Sequence, residues 1–268
     1  MKLWDILPSP YKEIKTNYTH VAQQPYTRHH ASLDMEQAER AAKSKLGFEL
    51  GEHWGIVGGT GSGKTTGAVA LLEYLRRHNP NVKRYVHDAS YDPDAFGQVY
   101  NPLHVMGNKA PDLLTNELHT QVWTPKSIDL DENETWFSRH VDAREPSIVL
   151  VDEAAAVKDV ESFVTLLKWG RKHKTTVIVC TQKIAKVPSE IFDMCTHFMQ
   201  FRLNRNPYEW QRSRELLNIL QGEQKAPDAR YGFFYRRLDG PYTSKEYMDY
   251  KQFFGHSLLY KQKGFKHV

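Results

Sequence analysis

The chain reads as an α/β protein with a mostly parallel sheet and helices on both faces, and three observations predict this. From His53 onward, strand-like segments alternate with helical segments of roughly 10 to 15 residues. Two strands, SIVLV at 147–151 and VIVC at 177–180, are apolar or small at nearly every position, as strands covered on both faces are. The run GGTGSGKT, Gly58 to Thr65, sits between a strand and the start of a helix, the context an anion-binding glycine turn requires.

The elements follow in order. Residues 1 to 50 contain Pro8, Pro10 and Pro25 and one predicted helix from Leu33 to about Leu46, and are expected to form an N-terminal extension. HWGIVGG is a strand and turn. KTTGAVALLEYLRRH is a helix with Ala68, Leu71, Leu72 and Leu75 on one face, ended by Asn79 and Pro80. KRYVHDAS is a second strand. Residues 91 to 146 hold a loop rich in Pro and Asp, a strand at TQVW and a helix near Glu132 to Ala143. SIVLVDE is a strand, DVESFVTLLKWGRKH a helix and TVIVCTQ a strand. A short helix from Ser189 to Met194 and the strand HFMQFRL come next. Pro207 opens a helix over YEWQRSRELLNIL, and YGFFYRRL is the last strand. The expected division is an extension at 1–50, a domain at 51–240 and a basic tail at 241–268 ending YKQKGFKHV.

Composition narrows the function classes. Apolar content of 40% and charged content of 25% are those of an ordinary globular protein. No apolar run approaches the ~18 residues of a spanning helix. The start, MKLWDILPSP, meets Asp5 and Pro8 too soon for a signal peptide, so an intracellular protein is expected. Cys180 and Cys195 lie in or near apolar strand sequence without metal-ligand spacing and read as buried small residues. The thirteen histidines form no HExxH pattern. A formal charge of +4 permits contact with nucleic acid without establishing it.

The chemistry is carried by four segments. In GGTGSGKT, glycines let backbone N–H groups turn inward, and the helix N-terminus adds partial positive charge. Gly58, Gly59, Thr60, Gly61, Ser62, Gly63, Lys64, Thr65 and Thr66 are the expected phosphate cradle. Lys64 would reach the β- and γ-phosphates, and the Thr65 hydroxyl would ligate Mg²⁺. SIVLVDE ends on Asp152, a carboxylate able to hold Mg²⁺ through water, and Glu153, able to polarise a water for in-line attack. An acidic pair there also caps a following helix. Gln182, at the tip of TVIVCTQ, offers an uncharged donor and acceptor to the γ-phosphate or the attacking water; a surface amide at a strand end reads the same way. Arg171 precedes that strand. It either complements its helix dipole or stabilises a phosphoryl group on a neighbouring subunit, with Arg202 and Arg205 as rivals. Lys183, Lys186, Arg202 and Arg205 lie in loops where spaced cations touch phosphates or simply face water.

Taken together, GGTGSGKTT, LVDEAAAV and GRKHKTTVIVCTQ resemble the FtsK–HerA superfamily of DNA-pumping ATPases, and FDMCTHFMQFRLNRNPYEWQ looks like that family's next strand and turn. The resemblance covers about residues 50 to 220. With neither the membrane and DNA-reading segments of FtsK nor the N-terminal barrel of HerA in view, the chain is most similar to viral genome-packaging ATPases. The likeness implies a RecA-like P-loop core and a homo-oligomeric ring, pentamer or hexamer. It also implies ATP and Mg²⁺ as cofactors, and hydrolysis driving double-stranded DNA through a central channel. Capsid or portal vertex proteins are the implied further partners, and host cytoplasm or virion the implied location. It carries over to Lys64, Thr65, Asp152, Glu153, Gln182 and Arg171. Two alternatives stand beside it: a cellular or plasmid-borne translocase for conjugation or DNA processing, and an ATP-dependent assembly switch that moves no DNA. A nucleotide kinase is disfavoured, because Glu153 is placed for water and no arginine-rich lid is found.

Overall fold

In the computed structural model, residues 49–89, 96–97, 99–125, 130–203, 233–237 and 246–248 are described. The helices expected at Leu33–Leu46 and from Pro207, together with Arg205 and the final basic residues, lie outside them.

The strands are β1 (Trp54–Val57), β2 (Lys83–Asp88), β3 (Pro102–Met106), β4 (Thr120–Thr124), β5 (Ser147–Asp152), β6 (Thr175–Thr181), β7 (His197–Gln200), β8 (Phe233–Arg237) and β9 (Glu246–Met248). The helices are α1 (Lys64–His78), α2 (Leu130–Ala143), α3 (Val160–His173) and α4 (Ser189–Asp193). The nine strands form one sheet ordered β3-β4-β2-β5-β6-β1-β7-β8-β9. From β3 to β7 every pairing is parallel, and β7–β8 and β8–β9 are antiparallel. The carboxyl ends of seven strands therefore share one edge, where open parallel sheets bind ligands. β9 falls in the stretch read as a tail and extends the sheet.

Successive strand residues point to opposite faces, and the core divides accordingly. Ile148, Leu150, Ile178 and Cys180 pack with Ala68, Leu71, Leu72 and Leu75 of α1. Val149, Val151, Val177 and Val179 pack with Trp136 and Phe137 of α2, Phe163 and Leu167 of α3, and Ile191 and Phe192 of α4. Helices thus cover both faces, which is why β5 and β6 are buried at every position. Both cysteines are free and buried.

The edge remote from those carboxyl ends is held by polar staples. His53 accepts the Val177 N–H at Nδ1 (3.1 Å), so Nε2 carries the proton it donates to the Leu167 carbonyl (2.8 Å). This one neutral ring ties β1 to β6 and α3. His197 stacks on Trp54 at 4.1 Å and lies between Glu52 Oε2 (2.9 Å) and the Tyr235 hydroxyl (3.0 Å). Arg237 donates to the other oxygen of Glu52 at 2.6 Å, locking β8 to the start of β1. α3 begins with an N-cap, Asp159 accepting the Ser162 N–H at 3.2 Å, and ends in Arg171, Lys172 and His173. Cations there complement the helix dipole.

Candidate active site

The glycine-rich turn leaves β1 and is pinned on both sides. Gly58 N–H donates to the Thr181 carbonyl at the end of β6 (3.3 Å), and Gly59 N–H donates to the Arg202 carbonyl just past β7 (2.8 Å). A Cβ at Gly58 would come within 2.5 Å of Ser62 Oγ and 2.7 Å of Phe201 Cβ, so the close approach requires glycine. Gly61 and Gly63 adopt φ of +70° and +95°, the left-handed region glycine enters without steric cost. Gly63 is the residue from which α1 departs. Ser62 Oγ is buried there without a hydrogen-bond partner, while Thr65 and Thr66 are partly buried in the first turn of α1.

Lys64 and Asp152 face each other across this turn, with Nζ 3.6 Å from Oδ1 and side-chain exposures of 5% and 4%. At that length the contact is an ion pair rather than a hydrogen bond, and Asp152 Oδ1 is buried with no donor. Burial pushes the Asp152 carboxyl above the usual carboxylate range; Lys64 opposes this and Asp88 adds to it. A buried carboxylate oxygen lacking a donor, paired with the lysine that opens α1 one residue before Thr65, is a set that fits a hard cation shared with phosphate.

Glu153 has φ of 54°, left-handed for a residue with a side chain. That turn brings its carboxylate to the end of β6, where Oε1 accepts the Thr181 hydroxyl (3.1 Å) and Oε2 accepts the Gln182 N–H (3.2 Å). The Gln182 side-chain oxygen accepts the Thr60 hydroxyl at 2.7 Å, joining the strand tip to the glycine turn. Lys64, Asp152, Glu153 and Gln182 are therefore gathered on one edge with Gly58 to Thr66. Lys183 and Lys186 are exposed just beyond Gln182.

Arg171 is not among them. Its guanidinium donates to the Met194 carbonyl (3.2 Å) and the Thr196 hydroxyl (3.3 Å), at the end of the sheet where β6 and β7 begin. Arg202 is nearer, since its carbonyl holds the glycine turn, and its side chain is exposed.

Two further polar residues stand on the same edge. Asp88, at the end of β2, is the register partner of Asp152 and is fully buried. Its Oδ2 accepts the hydroxyl of Thr124, the last residue of β4, at 3.0 Å. A strand ending in aspartate is the signal that picks out Asp152; KRYVHD ends the same way, but only its register against β5 shows which residue Asp88 stands beside.

No protein-family model and no curated protein matches the chain. Solved structures do. The genome packaging NTPase B204 from Sulfolobus turreted icosahedral virus 2 in complex with AMPPCP aligns over 74% of this chain and 97% of that one, with a TM-score of 0.57 and 13% identity. The same protein in complex with sulfate aligns over 75% and 96%, at 0.57 and 14%. B204, the DNA-packaging ATPase from Sulfolobus turreted icosahedral virus, aligns over 75% and 98%, at 0.52 and 14%. At such identities the likeness is one of fold. The chain has an α/β RecA-like P-loop fold, and that fold is similar to that of viral genome-packaging NTPases.

Proposed function

We propose that the chain is an Mg²⁺-dependent ATPase that moves double-stranded DNA, working as a homo-oligomeric ring to package a viral genome into a preformed capsid. The observation that carries the reading is the convergence of Lys64, Asp152, Glu153 and Gln182 on the edge that bears the glycine turn. The similar fold of packaging NTPases, one of them in complex with AMPPCP, supports it.

The N–H groups from Gly59 to Thr65 and the start of α1 bind the phosphates, and Lys64 turns from Asp152 toward them. Thr65 and Asp152 would hold Mg²⁺, which when bound would supply neutralisation of phosphate charge. Glu153 accepts a proton from the attacking water, with its carboxylate aimed by the Thr181 hydroxyl and the Gln182 N–H. Gln182 exchanges its bond to Thr60 for one to the γ-phosphate or the water, so the β6 tip registers whether phosphate is present. Arg171, remote from its own chain's cradle, serves the next subunit's phosphates. Lys183 and Lys186 are the candidate contacts to DNA phosphates, and capsid or portal vertex proteins are the proposed docking partners. No helix among the described residues is long and apolar enough to cross a membrane; we place the protein in host cytoplasm and on the virion.

The test is ATP hydrolysis with and without long duplex DNA over a salt series. A motor is stimulated by duplex, and the stimulation fades steeply as salt rises, because phosphate contacts release counterions. Hydrolysis indifferent to DNA at every salt concentration replaces the motor with an assembly switch.

A further inference from the structure

We propose that Asp88 is a second carboxylate of the cation site and makes the chain select the metal-bound nucleotide over free triphosphate. This rests on the ATPase reading above and deepens it.

The argument begins with register. Asp88 and Asp152 are the last paired residues of β2 and β5, side by side on the edge that carries the glycine turn. Both are buried, at 0% and 3% exposure. The Thr124 hydroxyl, donated at 3.0 Å, orients the Asp88 carboxyl group. Adjacent like charges out of water disfavour each other, and Lys64, 3.6 Å from Asp152, relieves that repulsion while the cradle holds no phosphate.

An arriving triphosphate overturns this balance. Its oxygens draw Lys64 away from Asp152 and bring several negative charges toward two buried carboxylates. A divalent cation between phosphates and carboxylates resolves the conflict, and Asp152 Oδ1, buried without a donor, faces no competing hydrogen bond. Among the described residues no three His, Cys, Asp or Glu side chains converge to hold a metal alone. The cation's other ligands must then be phosphate oxygens and water, the usual environment of Mg²⁺. Asp88 acts through the field at that site and through the cation's water shell. Its effect has opposite signs in the two conditions: it repels free nucleotide and attracts nucleotide carrying its metal.

Equilibrium binding of AMPPCP to the full chain, in excess Mg²⁺ and in excess EDTA, tests this. Wild type should bind far more tightly with Mg²⁺. Asp88→Asn should bind about tenfold more tightly than wild type in EDTA, the scale of one unit charge a few Å away in a partly screened site. Its gain on adding Mg²⁺ should shrink by a similar factor. An Asp88→Asn gain equal to that of wild type overturns the proposal, as does equal weakening in both conditions. Should Asp88→Asn lack a cooperative melting transition, Thr124→Val decides. It keeps the charge but removes the group orienting it, so a reduced gain supports the proposal and an unchanged one overturns it. Wild-type chain that binds no AMPPCP in either condition overturns the ATPase reading, and this inference with it. A Mg²⁺-dependent wild type with an unaltered Asp88→Asn overturns only the inference.

Discussion

Glu153 holds a backbone conformation that a β-carbon disfavours, of order 1 kcal/mol or more, and the surrounding contacts show what that conformation achieves. With helical or extended dihedrals, the residue after Asp152 would project elsewhere. In the left-handed region its carboxylate meets the Thr181 hydroxyl and the Gln182 N–H, both at the end of β6. A group aimed so firmly, one residue from the Lys64–Asp152 pair, is suited to taking a proton from a water in a fixed place. Glu153→Gln preserves the shape and keeps one acceptor oxygen for the Gln182 N–H, while its amide NH2 can donate to the Thr181 hydroxyl, but it cannot serve as a base. It is expected to bind ATP as wild type does while kcat falls about 10²- to 10⁴-fold, the span ascribed to a positioned general base. Single-turnover hydrolysis together with nucleotide binding measures this. Undiminished turnover assigns the base to another group.

At the scale of elements, two buried histidines join helices to the sheet, and both are held neutral. Burial pulls His53 down to about 4, with the Leu167 hydrogen bond opposing and Arg171 assisting. Burial also pulls His140, on α2, down to about 3, with His87 assisting; its ring meets Tyr85 and Trp136 edge-on, and its Nε2 is unpaired. Between an unfolded value near 6.5 and these folded values, the unfolded chain takes up protons that the folded chain declines. Stability is therefore lost as pH falls from about 6.5 toward 4, at roughly 1.4 kcal/mol per unit for each ring, and is unaffected above that window. Denaturant unfolding at pH 7 and pH 5 should show a smaller difference for His140→Phe than for wild type. An equal difference would remove His140 from the account. The same scale shows what was legible beforehand. β1, β5, β6, α1 and α3 announce themselves because apolar periodicity and burial agree. β3 does not: PLHVM is an edge strand opened by proline, with Leu103 and Met106 at 42% and 57% exposure, so neither alternation nor a solid apolar run marks it. Asp88 was hidden for a different reason, since its meaning depends on the register of β2 against β5, which no local pattern encodes. Strand order has the same origin: that β6 separates β1 from β5 is a property of the assembled sheet, not of any segment.

The whole molecule poses a problem of distance. β6 has seven residues, about 20 Å of strand, with Gln182 beyond one end and Arg171 before the other. One chain thus carries the proposed phosphate cradle on one edge of its sheet and a candidate phosphoryl-stabilising guanidinium on the opposite edge. A head-to-tail interface of the kind that closes rings can bring unlike surfaces of successive copies together. Arg171→Ala is expected to lower hydrolysis about 10³-fold, the smaller end of what an arginine finger contributes. That loss alone does not separate catalysis from structure, because the side chain also holds the Met194 carbonyl and the Thr196 hydroxyl. Mixing does separate them. A Lys64→Ala subunit has a defective cradle but an intact Arg171; placed beside an Arg171→Ala subunit, it can complete that neighbour's site. Two inactive preparations combined should then hydrolyse ATP, with a maximum at intermediate ratios and a decline toward either pure variant. A structural defect in Arg171→Ala would travel with the subunit that carries it, and no neighbour could repair it. If co-purification shows that the two variants assemble together and no ratio restores activity, Arg171 does not act across the interface, and Arg202, beside its own chain's glycine turn, becomes the residue to remove next.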